Sequence, residues 1–185
     1  TVVVNFFATM WGRGTALRTN LPIRWFYTGM VFYFITCLQC FFHTTLAVQE
    51  IIHFTDWVPG HAHMVMLGVF AFWCIGMITW LWPRLTGNDW YNRRLNHWTY
   101  WLTMLGLLIM FVDLLAAGLM HGFMARALAP WMEIVEALKP YWQVRTFAGG
   151  MILIGQVLFA FNLWKTARTP KPYDYRVDLV NPENG

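Results

Sequence analysis

The chain of 185 residues is 58% hydrophobic and 18% aromatic but only 12% charged. A soluble domain carries about 25% charged residues, so the composition argues against one. The formal charge of +4 at pH 7 is spread through the loops rather than gathered in a basic patch with interleaved aromatics, which argues against nucleic acid as a partner.

Stretches 26–49 and 62–83 contain no Asp, Glu, Lys or Arg. Each exceeds the roughly 20 residues needed to cross a bilayer core, and each is too apolar on every face for a soluble amphipathic helix. The expected fold class is an all-α membrane protein with four complete transmembrane helices and one partial N-terminal helix.

Thr1 opens the chain without an initiator Met, and residues 1–10 read as the tail of a helix already in progress. Neither a charged leader nor a small-residue cleavage site is present, so no signal peptide is assigned. A longer polypeptide upstream is expected, with a processed or split subunit as the alternative. After a polar turn through Gly12, Arg13 and Gly14, the first complete span is expected at about 22–48. The next covers about 57–82 and is expected to stop at Pro83. A third runs over about 97–124, interrupted by one acid, Asp113, and the last over about 146–164. Residues 165–185 read as a surface tail without a span.

Loop charge sets an orientation. Arg13, Arg18, Arg24, Arg84, Arg93, Arg94, Lys165, Arg168, Lys171 and Arg176 fall on one side, and only Arg126, Lys139 and Arg145 on the other, with Glu50, Asp56, Glu133 and Glu136. The positive-inside rule puts the first group, and the tail, in the cytoplasm. For a bacterial inner membrane, residues 50–60 then face the periplasm.

The stretch that carries chemistry is His53-Phe54-Thr55-Asp56-Trp57-Val58-Pro59-Gly60-His61-Ala62-His63. Histidines entering a membrane span are costly to bury and mark function more often than packing. At 100° per residue, His61 and His63 point about 200° apart. That spacing does not let them share one metal ion, but each can ligate its own planar cofactor on opposite sides of the helix. Neutral imidazole is a standard axial ligand of haem iron. Gly60 is expected to leave room for a macrocycle, and Pro59 suits a first turn. His53, Asp56 and Trp57 stand where the loop meets the membrane and are expected to reach haem propionates, directly or through water.

Residues 52–67 resemble the tenth helix of the catalytic subunit I of heme–copper oxidoreductases, closest to the C-family (cbb-type) cytochrome c oxidases. Stretches 17–24 (LRTNLPIR), 82–85 (WPRL) and 144–150 (VRTFAGG) are similar to the loop before helix nine, the end of helix ten and the start of helix twelve. The resemblance thus implies helices eight to twelve of a larger twelve-helix bundle. It also implies that His61 is the proximal ligand of a high-spin haem and His63 one of two axial ligands of a low-spin haem, both haems b-type. Copper B is expected in the assembly, but its three histidines, the second low-spin ligand and a crosslinked Tyr belong to helices upstream of Thr1. The implied partners are the N-terminal half of subunit I, c-type cytochrome subunits and the lipid membrane.

One departure stands out. Where C-family oxidases and bacterial nitric oxide reductases carry a Glu in helix nine, spacing back from His61 gives Gln39, a candidate catalytic position that cannot exchange a proton at ordinary pH. The alternative reading is a helix-packing amide. His43, about one turn on, either stands near the active site or bonds a neighbouring helix. Cys37 and Cys40 form a C-x-x-C inside an apolar helix with no His following. That excludes a c-type haem attachment signature, and buried packing cysteines are expected. Asp113 is expected to pair with a neighbouring helix or serve a proton path. His97 is expected to face solvent or headgroups. Trp11, Trp57, Trp80, Trp82, Trp90, Trp98 and Trp101 are expected to form an aromatic belt.

The function implied is reduction of dioxygen to water with electrons from cytochrome c. Two alternatives stand beside it: a nitric oxide reductase of the same superfamily, and a subunit that holds haem or scaffolds without its own catalysis.

Overall fold

A computed structural model describes residues 1–174; residues 175–185, including Arg176 and the end of the expected tail, lie outside the described residues. Among the described residues the chain is helical, without a strand: α1 (Val2–Met10), α2 (Gly14–Thr19), α3 (Leu21–His43), α4 (Leu46–Ile52), α5 (Trp57–Thr86), α6 (Arg93–Arg126) and α7 (Trp131–Arg168). Four of these, α3, α5, α6 and α7, are long and apolar enough to cross a membrane.

Several bounds differ from the sequence expectation, each for a local reason. The first complete span ends at His43 rather than continuing to residue 48. The backbone breaks at Thr44, and a separate short helix, α4, follows. Pro83 does not stop α5, because a helix that loses one backbone hydrogen bond can continue when its neighbours hold it. Arg84 donates to the carbonyl of Trp80 and its guanidinium lies over the Trp80 ring. The helix ends instead at Gly87, which takes the left-handed conformation (φ 67°). The segment expected as a loop before residue 146 is the first part of α7, with Pro140 inside it. Its charges misled: Lys139 donates to Glu136 at 2.6 Å on the exposed face of one helix.

Burial begins at the interface of α3, α5 and α6. Asn20 caps α3, its side chain accepting from the Ile23 amide at 3.1 Å. Trp25, one turn in, meets Phe72 of α5 and Tyr100 of α6 edge-on at 4.7 and 5.0 Å, contacts of about 0.5–1.5 kcal/mol each beyond the area they bury. Trp90 belongs to this core, against the expectation of a belt position; it is 7% exposed and lies by Phe159 of α7.

The α6–α7 seam is polar at one end. Asn162 donates to Asn96 Oδ1 (2.7 Å) and to the Asn92 carbonyl (3.0 Å), and accepts from the Asn92 amide. Thr166 Oγ1 accepts from the Tyr91 amide. Such interhelical bonds contribute about 0.6 kcal/mol each on average in membrane proteins, and their geometry fixes register. At the same end Asp89 joins Arg93 (3.1 Å) and Lys171 (2.8 Å), and Lys171 anchors the start of the tail.

At the opposite end the connection 44–56 lies on α6, and two glycines admit it. A Cβ on Gly122 would strike the carbonyl of Ile51, and one on Gly118 the amide of Trp57. Phe54 turns the chain through a positive φ of 60° just before α5, while Thr55 donates to the Ile52 carbonyl at 2.7 Å. That joint fixes where α5 begins, and therefore where its histidines sit.

Candidate haem-ligating site

The first two turns of α5 carry Trp57 through His63, and π-helical backbone follows directly over Met64–Ala71. Wide turns of this kind are rare and gather at functional positions. The two histidines share no partner. The ring of His61 lies against α3, where its Nδ1 is 3.0 Å from Gln39 Oε1 and its Nε2 is 3.6 Å from the Cys40 thiol. His63 is exposed, and its Nδ1 lies 2.7 Å from the carbonyl of Pro59, one turn back on its own helix. Gly60, between these directions, is buried against α6 with Leu114 Cβ at 3.0 Å from a notional Cβ. Its missing side chain therefore serves the approach of α5 to α6; the expected room for a macrocycle is taken by Leu114.

The donor set suits iron. A carbonyl oxygen facing Nδ1 selects the tautomer in which Nδ1 donates, which leaves the Nε2 lone pair as the ligand atom. Both rings meet that condition at Nδ1, one through a side-chain amide and one through backbone, while the Nε2 of His61 faces the Cys40 thiol at 3.6 Å. Gln39 is 9% exposed, so its amide is held in place by the packing of α3. Among the described residues no group of three or more His, Cys, Asp and Glu is placed to hold a metal ion.

His43 joins the site from the last turn of α3. Its ring stands edge-on to His61 at 4.5 Å between centroids, and its Nε2 accepts from the Trp57 indole, 2.5 Å away. The bond to Trp57 of the neighbouring helix is what brings His43 beside His61. Gln49 donates to the His43 carbonyl at 2.5 Å, closing the end of the helix. Cys37 and Cys40 are exposed rather than buried, because they lie on the side of α3 that this chain leaves uncovered. Proximity of Cys40 to His61 is the feature sequence reasoning missed; the spacing of 21 residues between two helices gave no signal for it.

The three residues expected near propionates separate. His53 stacks on Phe54 at 4.0 Å and lines an open groove with Glu50, His121 and Arg126. The Trp57 indole N–H is engaged by His43. Asp56 pairs with Arg145 of α7 at 3.7 Å, a partner that loop-charge counting had set aside as an outward charge. Asp113 of α6 is buried, and its Oδ2 has no hydrogen-bond partner. His97 is exposed, as read from the sequence.

The comparisons with known proteins bear on this arrangement. The family model described as cytochrome c and quinol oxidase polypeptide I matches residues 1–152. A cytochrome c oxidase subunit 1 homolog (bacteroid) of Bradyrhizobium diazoefficiens is 29% identical over 90% of this chain and 32% of its own length. A cbb3-type cytochrome c oxidase subunit of Stutzerimonas stutzeri is 26% identical over 94% of this chain and 38% of its own. A nitric oxide reductase subunit from the same organism is 27% identical over 70% of this chain and 29% of its own. In fold, the chain is similar to a heme-copper terminal oxidase dimer solved by cryo-electron microscopy, with a TM-score of 0.69 and 20% identity over 83% of this chain and 28% of that one. The chain therefore spans about a third of the length of the curated relatives it matches. The helices that carry His61, His63 and Gln39 all lie inside the matched region, and the chain belongs to the cytochrome c and quinol oxidase polypeptide I family.

Proposed function

We propose that this chain supplies the haem-bearing part of subunit I in a terminal respiratory oxidase that reduces dioxygen to water with electrons from a c-type cytochrome. The observation that supports this most is the divergence of His61 and His63, each with Nδ1 held by a carbonyl oxygen, which favours the tautomer whose lone pair is on Nε2. His61 would hold the high-spin haem and His63 the low-spin haem. When bound, the haems supply electron transfer and the iron at which dioxygen is reduced. Everything else asked of this chain is positioning. α5 sets the spacing of the two haems, and Gln39 orients the His61 ring. His53 and Asp56 lie at the propionate end. A carboxylate only accepts hydrogen bonds, so Asp56 would reach a propionate through Arg145. The remaining axial histidine, the copper ligands and the crosslinked Tyr come from the N-terminal half of subunit I. The membrane is the bacterial inner membrane, with residues 53–63 toward the periplasm.

The similarity to a nitric oxide reductase favours a second reading. In it the substrate is nitric oxide, and a non-haem iron or an altered copper site stands in place of copper B. A reduced-minus-oxidised optical spectrum of the purified assembly, with metal analysis and carbon monoxide addition, separates the readings. Two haems, one of them binding carbon monoxide, with one copper is the result expected for the oxidase. Iron in excess of haem and no copper is the result for the reductase. Absence of haem overturns both.

A further inference from the structure

At the end of the bundle opposite His61 and His63, a groove of about 370 Å³ opens between α2, the start of α3 and the first turns of α6. Arg18, Arg24, Tyr27, Tyr100 and Trp101 line it. Arg24 is fixed there by backbone: Nε donates to the Leu17 carbonyl at 2.8 Å and Nη2 to the Arg18 carbonyl at 2.7 Å, which satisfies the last turn of α2. Its guanidinium lies over the Tyr100 ring, 5.4 Å from the centroid. The aromatic walls are held in turn. Tyr100 and Thr28 meet hydroxyl to hydroxyl at 2.7 Å, and Tyr27 stands edge-on to Phe7 of α1 at 5.7 Å.

These two cations have no counter-ion. Residues 1–49 and 90–112, which include every residue lining the groove, contain no Asp or Glu. Asp89, the acid just before α6, is engaged by Arg93 and Lys171. Among the described residues, therefore, no carboxylate pairs with Arg18 or Arg24. A guanidinium presents five N–H donors, and Arg24 spends two on the chain; three remain for a ligand. A planar, permanently charged fork held in one place matches a phosphate. Beside it the groove is aromatic. Trp101 is 46% exposed, and amphipathic rings of this kind rest at headgroup level, with their faces on acyl carbons.

We propose that this groove binds one anionic phospholipid, its phosphate on Arg24 and Arg18 and an acyl chain along Tyr27 and Trp101. Charge complementarity selects the occupant. A zwitterionic lipid brings its own cation to the phosphate and offsets the attraction, and a free phosphate leaves the aromatic walls uncovered. The same end of the chain carries the larger share of basic residues, which draws anionic lipid to it. Bound there, the lipid ties the α2–α3 turn to α6. The site rests on these side chains and not on either haem assignment.

Native mass spectrometry of the complete purified assembly, with phosphatidylglycerol, phosphatidylcholine or inorganic phosphate added, tests it. Expected is a phosphatidylglycerol adduct that persists under conditions that strip phosphatidylcholine. Arg18→Gln is expected to raise its Kd about fivefold, the contribution of one basic residue near an anionic headgroup. The Arg18 side chain makes no hydrogen bond or ion pair among the described residues, so folding is not at stake in that variant. Arg168→Gln removes the same charge from α7 at the same end and is expected to leave the Kd unchanged. A photoreactive phosphatidylglycerol is expected to label Tyr27 or Trp101. Equal retention of the two lipids, or an equal loss in Arg168→Gln, would overturn the site. So would labelling confined to other surfaces, which would show that another polypeptide covers the groove. Displacement of the lipid by excess inorganic phosphate would reduce the site to one for a simple anion and overturn the lipid. Because none of these readouts depends on haem, failure of the haem assignment and failure of the lipid site are separate results.

Discussion

At the scale of single residues, the site depends on what faces Nδ1 of each histidine. Gln39 does for His61 what a backbone carbonyl does for His63, and such outer contacts alter metal affinity by about 10–100-fold when removed. Gln39→Ala is therefore expected to weaken retention of the carbon monoxide-binding haem by about 10-fold or more while leaving the low-spin haem in place, measured as haem content per polypeptide after detergent washing. Gln39→Glu is expected to retain both haems, since a carboxyl oxygen still accepts from Nδ1. Equal loss of both haems in Gln39→Ala would contradict the assignment of Gln39 to one ring. The histidine pair was legible from sequence because helical periodicity alone separates residues two apart. The Gln39 amide was legible only as a position, since no pattern within one helix reveals which atom of another it bonds. Cys40 and Arg145 escaped for the same reason: both reach the site from helices distant in sequence.

At the scale of elements, the joint between the 44–56 connection and α6 controls where α5 starts. Gly118 and Gly122 lie directly under the Trp57 amide and the Ile51 carbonyl, so an added methyl meets backbone, which cannot rotate aside. Gly122→Ala is expected to destabilise the assembly by about 1–3 kcal/mol, the usual cost of overpacking. The check is a lower midpoint in thermal unfolding, with partial loss of haem before global unfolding. An unchanged midpoint would show that the connection does not rest on α6. Sequence reasoning found the four long apolar segments because lipid demands them. It ran the first complete span through Thr44 and stopped another at Pro83, because a run of apolar residues does not mark where a helix breaks, nor Pro where one must end. The true stops are Thr44, where α3 gives way to α4, and Gly87, with its left-handed backbone.

Across the whole molecule, charge is divided between the two ends, and each end has its own lock. At the end holding Asn92 and Asn162, Asp89 is outside the spans. Burial works against its ionisation, but hydrogen bonds from Lys171, Arg93 and the Trp90 amide outweigh that and hold its carboxyl below the ordinary range. A depressed acid contributes stability that is present above its unfolded value and is lost as the pH falls through its folded value. Unmodified protein is thus expected to exceed Asp89→Asn in thermal stability at neutral pH, with the difference vanishing in acid; a difference independent of pH would contradict this role for the ionised carboxylate. The other end carries His61, His63 and the Asp56–Arg145 pair, and the central claim there is that the two histidines hold two separate irons. The most direct measurement is the reduced optical spectrum, with and without carbon monoxide, of assemblies carrying His61→Ala or His63→Ala. His63→Ala is expected to lose the low-spin haem and keep the carbon monoxide-binding one, and His61→Ala to do the reverse. Loss of both haems together from each variant in an otherwise folded assembly, or of neither, would contradict it.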